Sequence, residues 1–293
     1  MFATILVLAA CGSFGAQAKT ISLGYKAGDT HKYGFHLVMK YTVAASGMSV
    51  PLNLDLKALE NVTVKSVDSS GTADLSVAIS DISVTVEEGT TSNTTKTTAP
   101  TTIEMKVAKD GRVISVNGNA FGNSSPLPGL SGTQGGVVSA ILPNHPVKPG
   151  DTWTKGYDQP NLLGGGAIHS TSNNTYLRDD SVSGVNAAVV ESKVTTNLNM
   201  TLDLSSMLGA AGATGSSSSP AGANTLTMKG TSTSDTTTWI DTSASHIVKT
   251  HSTGSVNATL NVTIPPGSTP TTAPSLTGPI TFKGTQSLDL TPA

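Results

Sequence analysis

The histidines are the first residues whose type could do chemistry. There are six: His31, His36, His145, His169, His246 and His251. Two pairs, His31/His36 and His246/His251, are each five residues apart. Successive side chains on a strand point to opposite faces, so an odd spacing parts the partners. A shared metal would then need a turn between them. No second cysteine supplies a thiolate beyond Cys11, and no H-E-x-x-H run occurs. The histidines read as polar-face or turn residues, and no metal ligand is assigned.

Nucleophilic chemistry finds no firmer footing. No G-x-S-x-G elbow, S-x-x-K run, phosphate-cradling Walker loop or catalytic cysteine context is present. Gly164-Gly165-Gly166 lacks the strand-to-helix setting that holds phosphate, and reads as a flexible entry to the next strand. Serine and threonine are so abundant that spacing selects no Ser–His–Asp relay. Arg178-Asp179-Asp180 reads as an exposed turn. Trp153 and Trp239 are the only tryptophans; each reads as a core plug near a strand start. No catalytic or cofactor-binding residue is assigned, and no cofactor is expected.

A short motif occurs twice. Lys26-Ala27-Gly28-Asp29-Thr30 returns as Lys148-Pro149-Gly150-Asp151-Thr152. Glycine permits a positive φ ahead of a strand, and aspartate accepts from nearby backbone N–H groups. Gly28, Asp29, Gly150 and Asp151 therefore read as structural strand-entry turns.

The elements between these residues are strands. Phe35, Leu37, Met39, Tyr41 and Val43 are apolar at every second position. Leu52, Leu54 and Leu56 alternate with Asn53 and Asp55. Ala73, Leu75, Val77 and Ile79 alternate too, and then Ile82, Val84 and Val86 continue in the other phase. The shift at Ser80-Asp81 predicts a β-bulge. Val194, Leu198, Met200, Leu202 and Leu204 share one face, as do Val256, Ala258, Leu260, Val262 and Ile264. This period of two predicts half-buried antiparallel strands with one wet face. The expected fold is all-β: long curved antiparallel sheets in an open-barrel or roll-like arrangement, with a core of Val, Leu, Ile, Ala and Met. Asp110-Gly111 signals a tight hairpin. Residues 89–102, 205–224 and 265–278 are rich in Ser, Thr, Gly and Pro, and read as mobile loops. The one helix expected is short, around residues 137–142.

The first residues carry an export signal. Ile5 to Ala10 are apolar and too few to span a bilayer, which needs about 20. Two cuts fit residues 1–18 as a signal peptide. Leu8-Ala9-Ala10-Cys11 matches a bacterial lipobox, in which Cys11 takes a lipid and becomes the mature end. Ala16-Gln17-Ala18 matches an A-x-A site that frees a chain starting at Lys19. Both imply export, to the periplasm or cell envelope under a lipid anchor, or into the medium. Membrane contact is expected only through lipidated Cys11. The lone cysteine excludes an internal disulfide.

Charged residues are 12% of the chain, about half the usual share. A net charge of −2 with scattered Lys and Arg offers no footprint for nucleic acid. The repeated motif, with a strand, a Gly-closed turn and a long strand behind each copy, divides the chain into two related β-lobes. These are residues 19–147 and 148–293, the second carrying a disordered loop at 205–224. The stretch Leu142-Pro143-Asn144-His145-Pro146-Val147-Lys148-Pro149-Gly150-Asp151-Thr152-Trp153, with Tyr25 to Asp29, resembles a family of uncharacterised bacterial secreted proteins and lipoproteins. That family carries PxKPGDTW-type segments between two β-rich halves. The resemblance implies export and a two-halved β fold, and transfers no site residue. The leading expectation is a non-enzymatic envelope protein that binds an apolar small molecule, a lipid or an envelope protein partner. A scaffold with a filled core comes second, and a hydrolase with an unrecognised site third.

Overall fold

The computed structural model describes residues 17–45, 47–117, 140–160, 167–203, 225–263 and 279–293. Residues 1–16 of the expected export segment, Cys11 among them, Gly164 to Gly166, and the stretches 205–224 and 265–278 lie outside them. So do residues 137–139 of the expected helix; Ala140 to Leu142 form none.

The twelve described strands form one antiparallel sheet. They are β1 (Thr30–Ala45), β2 (Met48–Val67), β3 (Ala73–Glu88), β4 (Thr91–Thr97), β5 (Thr101–Val107), β6 (Val113–Asn117), β7 (Thr152–Pro160), β8 (Ala167–Val182), β9 (Val185–Asp203), β10 (Thr225–Asp241), β11 (Ile247–Thr263) and β12 (Ile280–Pro292). The order is β6-β5-β3-β2-β1-β12-β11-β10-β9-β8-β7, with β4 beside β3. The sheet is curled but not closed by hydrogen bonds: β6 and β7 end the order. Lys155 of β7 reaches Asp110, in the β5–β6 turn, at 2.9 Å and ties the edges together. Burial opposes the charge on Asp110, but Lys155 and Arg112 outweigh it and hold the carboxyl below its ordinary range.

The two-residue rhythm sets which side is dry. On β1, Phe35, Leu37, Met39 and Tyr41 are buried. The seam between the chain's two halves runs along β1 and β12, where Leu37 faces Leu288 and Phe35 faces Leu290. Leu37 and Leu288 are 0% and 1% exposed. Each such side chain contributes roughly 1.5–3 kcal/mol by leaving water. The core also uses rings, Tyr33, Tyr176 and Trp153 among them, beyond the aliphatic set expected.

The register shifts where the sequence changes phase. Between Lys57 and Leu59 the pairing to β3 slips, and Asp81 has φ +50°. This is the bulge expected at Ser80-Asp81. It divides the edge of β3 between two partners: Ala73 to Ile79 pair with β5, and Ile82 to Glu88 with β4. Residues 89–102, read as a mobile loop, therefore hold β4 and the start of β5. All seven residues of β4 are exposed, so no apolar alternation advertises it. Backbone pairing to β3 orders it instead.

A strap crosses the end of the curled sheet. Lys19 exchanges backbone hydrogen bonds with Val147 at 2.8 and 2.9 Å. The Leu23 N–H donates to the Lys109 carbonyl, and the Gly24 N–H to that of Ser245. Ile21 and Leu23 are buried beneath it. The Lys19 ammonium also pairs with Asp179.

In the second half the dry side is partly polar. Asn174, Ser192, Thr236, Thr238 and Ser252 are all buried. Their partners explain it. The Ala140 N–H donates to Thr238 Oγ1 and the Ile141 N–H to Ser192 Oγ, both at 2.9 Å. Trp153 Nε1 donates to the Ile141 carbonyl at 3.0 Å. The interior thus grips a length of main chain, whose amides need partners once dry.

Candidate functional site

Two places on the described fold gather groups able to do chemistry or binding. The first is inside, under the strap. Glu60 lies on the dry side of β2, in phase with Ala58, Val62 and Val64, and faces Tyr33 across the β1–β2 pair. It is 2% exposed, and its Oε2 has no hydrogen-bond partner. Burial pushes its carboxyl up to about 8. The Tyr33 hydroxyl donates to the Ile247 carbonyl at 2.6 Å. The Tyr25 hydroxyl is buried without a partner. Burial holds both phenols far above their ordinary range.

Beside them the fold joins two histidines 215 residues apart in sequence (246 − 31). His31 and His246 stack with centroids 4.4 Å apart at an interplanar angle of 15°. Burial first, then the neighbouring His246, lowers the pKa of His31. A space of about 20 Å³ lies among Tyr25, His31, Tyr33, Val62 and His246. That is the scale of one water molecule.

The second place is outside. A trough of about 850 Å³ runs across β1, β12, β11, β10, β9 and β8. Val38 and Lys40 line it, and they alternate with the buried Leu37, Met39 and Tyr41. The trough therefore opens on the side of the sheet away from the core. Two rungs of side chains form its floor. In one, Thr195, Thr233, Ser255 and Thr285 stand directly opposite one another on four adjacent strands, ended by Lys40. In the other, Lys193, Asp235, Thr253 and Ser287 do the same, ended by Val38. Thr233 and Ser255 hydrogen-bond each other at 2.9 Å. Lys193 pairs with Glu191 at 3.3 Å. Burial and the nearby Glu191 raise the pKa of Asp235, against Lys193 and His251.

The histidines pair with carboxylates rather than with each other at the five-residue spacing. His36 lies 3.2 Å from Asp55, His169 3.0 Å from Asp158 and His251 2.7 Å from Asp289. Asp241 stands 3.8 Å from His246, but its carboxylate accepts from the Ser243 N–H and hydroxyl and from the Ala244 N–H. Its charge is spent on that turn. Among the described residues no group of three or more His, Cys, Asp or Glu is placed to hold a metal ion.

The repeated motif forms the same turn twice. Gly28 and Gly150 have φ of +92° and +94°, a region open mainly to glycine. The Asp29 N–H donates to the Lys26 carbonyl, and that of Asp151 to the Lys148 carbonyl. Gly28 and Asp29 bridge to Val64 through the backbone; Gly150 and Asp151 bridge to Tyr176. A register shift follows each partner, after Val64 and after Tyr176. Trp153 is a core plug at the start of β7. Trp239 lies near the end of β10, not its start, and donates to Asp180 at 3.1 Å with Lys249 over its ring.

Glu60 was missed by reading for motifs, yet its signal is there: an acid in the apolar phase of Ala58, Val62 and Val64. The trough has no local signal, because its rungs exist only once the strand register is known.

No family model matches the chain, and no curated protein matches it. Among solved structures, DynF from the dynemicin biosynthesis pathway of Micromonospora chersina is similar with a TM-score of 0.22. It shares 8% identity, over 99% of this chain and 93% of that one. A likeness of that strength carries no argument about what this chain does.

Proposed function

We propose that this chain is an exported cell-envelope protein that acts by binding, not by catalysis, and that its ligand lies in the trough. The carrying observation is the trough itself. Its volume of about 850 Å³ falls in the range of small-molecule sites. Its floor is a paired sheet whose other side is packed into the core, so the site is held rigid before a ligand arrives. The lining moves the expected ligand away from a purely apolar one, since hydroxyls dominate the rungs. The scaffold reading draws on a different observation, the single contiguous core under the strap.

One experiment tests location and load together. The protein is purified from the envelope fraction and weighed intact under native conditions, beside Thr253→Trp, which fills the trough from an exposed position. The expected mass begins at lipidated Cys11 or at Lys19 and includes a non-covalent load that Thr253→Trp lacks. An unprocessed cytosolic chain would overturn export. A bare mass, or a load equal in both proteins, would overturn the binding reading.

A further inference from the structure

We infer that the trough takes an extended, neutral, polyhydroxylated chain, an oligosaccharide. This rests on the trough being the binding site, and adds the class of ligand. The first argument is the spacing of the rungs. Adjacent strands lie about 4.8 Å apart, so the four hydroxyls of Thr195, Thr233, Ser255 and Thr285 span roughly 14 Å in a straight row. The second rung lies two residues along each strand, about 6.8 Å away. Such a ladder suits a chain that presents hydroxyl groups at regular intervals across the strands, not a compact molecule.

The second argument is the chemistry of each rung. A serine or threonine hydroxyl donates one hydrogen bond and accepts two. Thr233 and Ser255 use part of this capacity on each other and keep the rest. A sugar hydroxyl has the same mixed character, so matching does not depend on the direction of the chain. The threonine methyls supply small apolar patches between the hydroxyls, where the C–H face of a sugar ring can rest.

Charge and the desolvation of the hydroxyls decide against the other classes. Lys193 is offset by Glu191 and Asp235, and Lys40 stands four strands away on β1, so the floor carries no cationic cluster for a phosphate or a nucleic acid. Val38 is the one wholly aliphatic side chain among the outward-phase residues that line the trough; Val194 stands in phase with the buried Val190 and Leu198. A hydrocarbon tail laid here would strip water from hydroxyls and return no hydrogen bonds, at a cost of about 1–3 kcal/mol per group.

The test uses three neutral hexasaccharides: β1,4-linked N-acetylglucosamine, β1,4-linked glucose and α1,4-linked glucose. Each is titrated by calorimetry into the wild-type protein and into Thr233→Val/Thr285→Val. Both positions are exposed on paired strands, and valine keeps the volume while removing the hydroxyls. Thermal melts of the variant verify that it folds. The expected result is binding of at least one hexamer, weakened about tenfold in the variant, or roughly 1.4 kcal/mol. No binding of any hexamer, or equal binding to both proteins, overturns the inference. If a native load is lost in Thr253→Trp while no hexamer binds, the binding reading stands and the saccharide class falls. If neither load nor hexamer is seen, both fall.

Discussion

The wild-type fold loses stability as pH rises from about 4.5 to about 8, and Glu60→Gln removes most of that slope. The cause is the carboxyl buried in the apolar phase of β2. Its pKa is 4.5 in an open chain and about 8 in the fold. Between those values the folded state holds a proton that the unfolded state has released. The fold therefore gains from this group below 4.5, and the gain drains away as pH climbs through the folded pKa. The difference amounts to about 5 kcal/mol, a large part of a typical domain's stability. Glutamine has the same shape and no charge to bury, so its melts should run nearly level on this account. Denaturant melts of both proteins at pH 5 and pH 8.5 measure it. If the two lose stability in parallel over that range, Glu60 is not held protonated in the core.

The second large effect is at the seam. Leu288→Ala should cost about 3 kcal/mol or more, the usual toll for a leucine cavity that cannot collapse. Leu288 faces Leu37 across β1 and β12, the first and last of the described strands. Neither side chain is more than 1% exposed. For a chain of this size the loss corresponds to a fall in Tm of roughly 5 °C. Because the seam makes one sheet of both halves, the variant should still melt in a single step. A second transition in the variant, with one half outlasting the other, would show that the halves do not share a core. A loss under 1 kcal/mol would show that the leucines are not in the interior.

How much of this could be read from the residues alone depends on where packing speaks louder than pairing. The runs from Phe35 to Val43 and from Ala73 to Val86 declare themselves, because a sheet with one dry side must alternate. The bulge at Asp81 was visible for the same reason: a phase shift cannot be absorbed without an extra residue. β4 was not visible. Its Thr91–Thr97 run buries nothing, and only the backbone of β3 holds it. The polar interior of the second half was hidden too. Asn174, Ser192 and Thr238 look like solvent residues until the main chain of Ala140 and Ile141 is laid against them. The stacking of His31 on His246 needs strand order, since nothing in a five-residue spacing brings β1 to the start of β11. The trough needs register as well, because Thr195, Thr233, Ser255 and Thr285 come from four separate strands.

The trough and the shared core both depend on one arrangement, β12 lying beside β1 with Val38 opposite Ser287. Directly opposed residues of an antiparallel pair sit within disulfide reach, whereas a partner two residues along does not. In a Cys11→Ser background, Val38→Cys/Ser287→Cys should cross-link fully under mild oxidation, joining positions 249 residues apart (287 − 38). Val38→Cys/Thr285→Cys should stay reduced. A matched pair that stays open while the offset pair closes would break the register, and with it the trough and the single sheet.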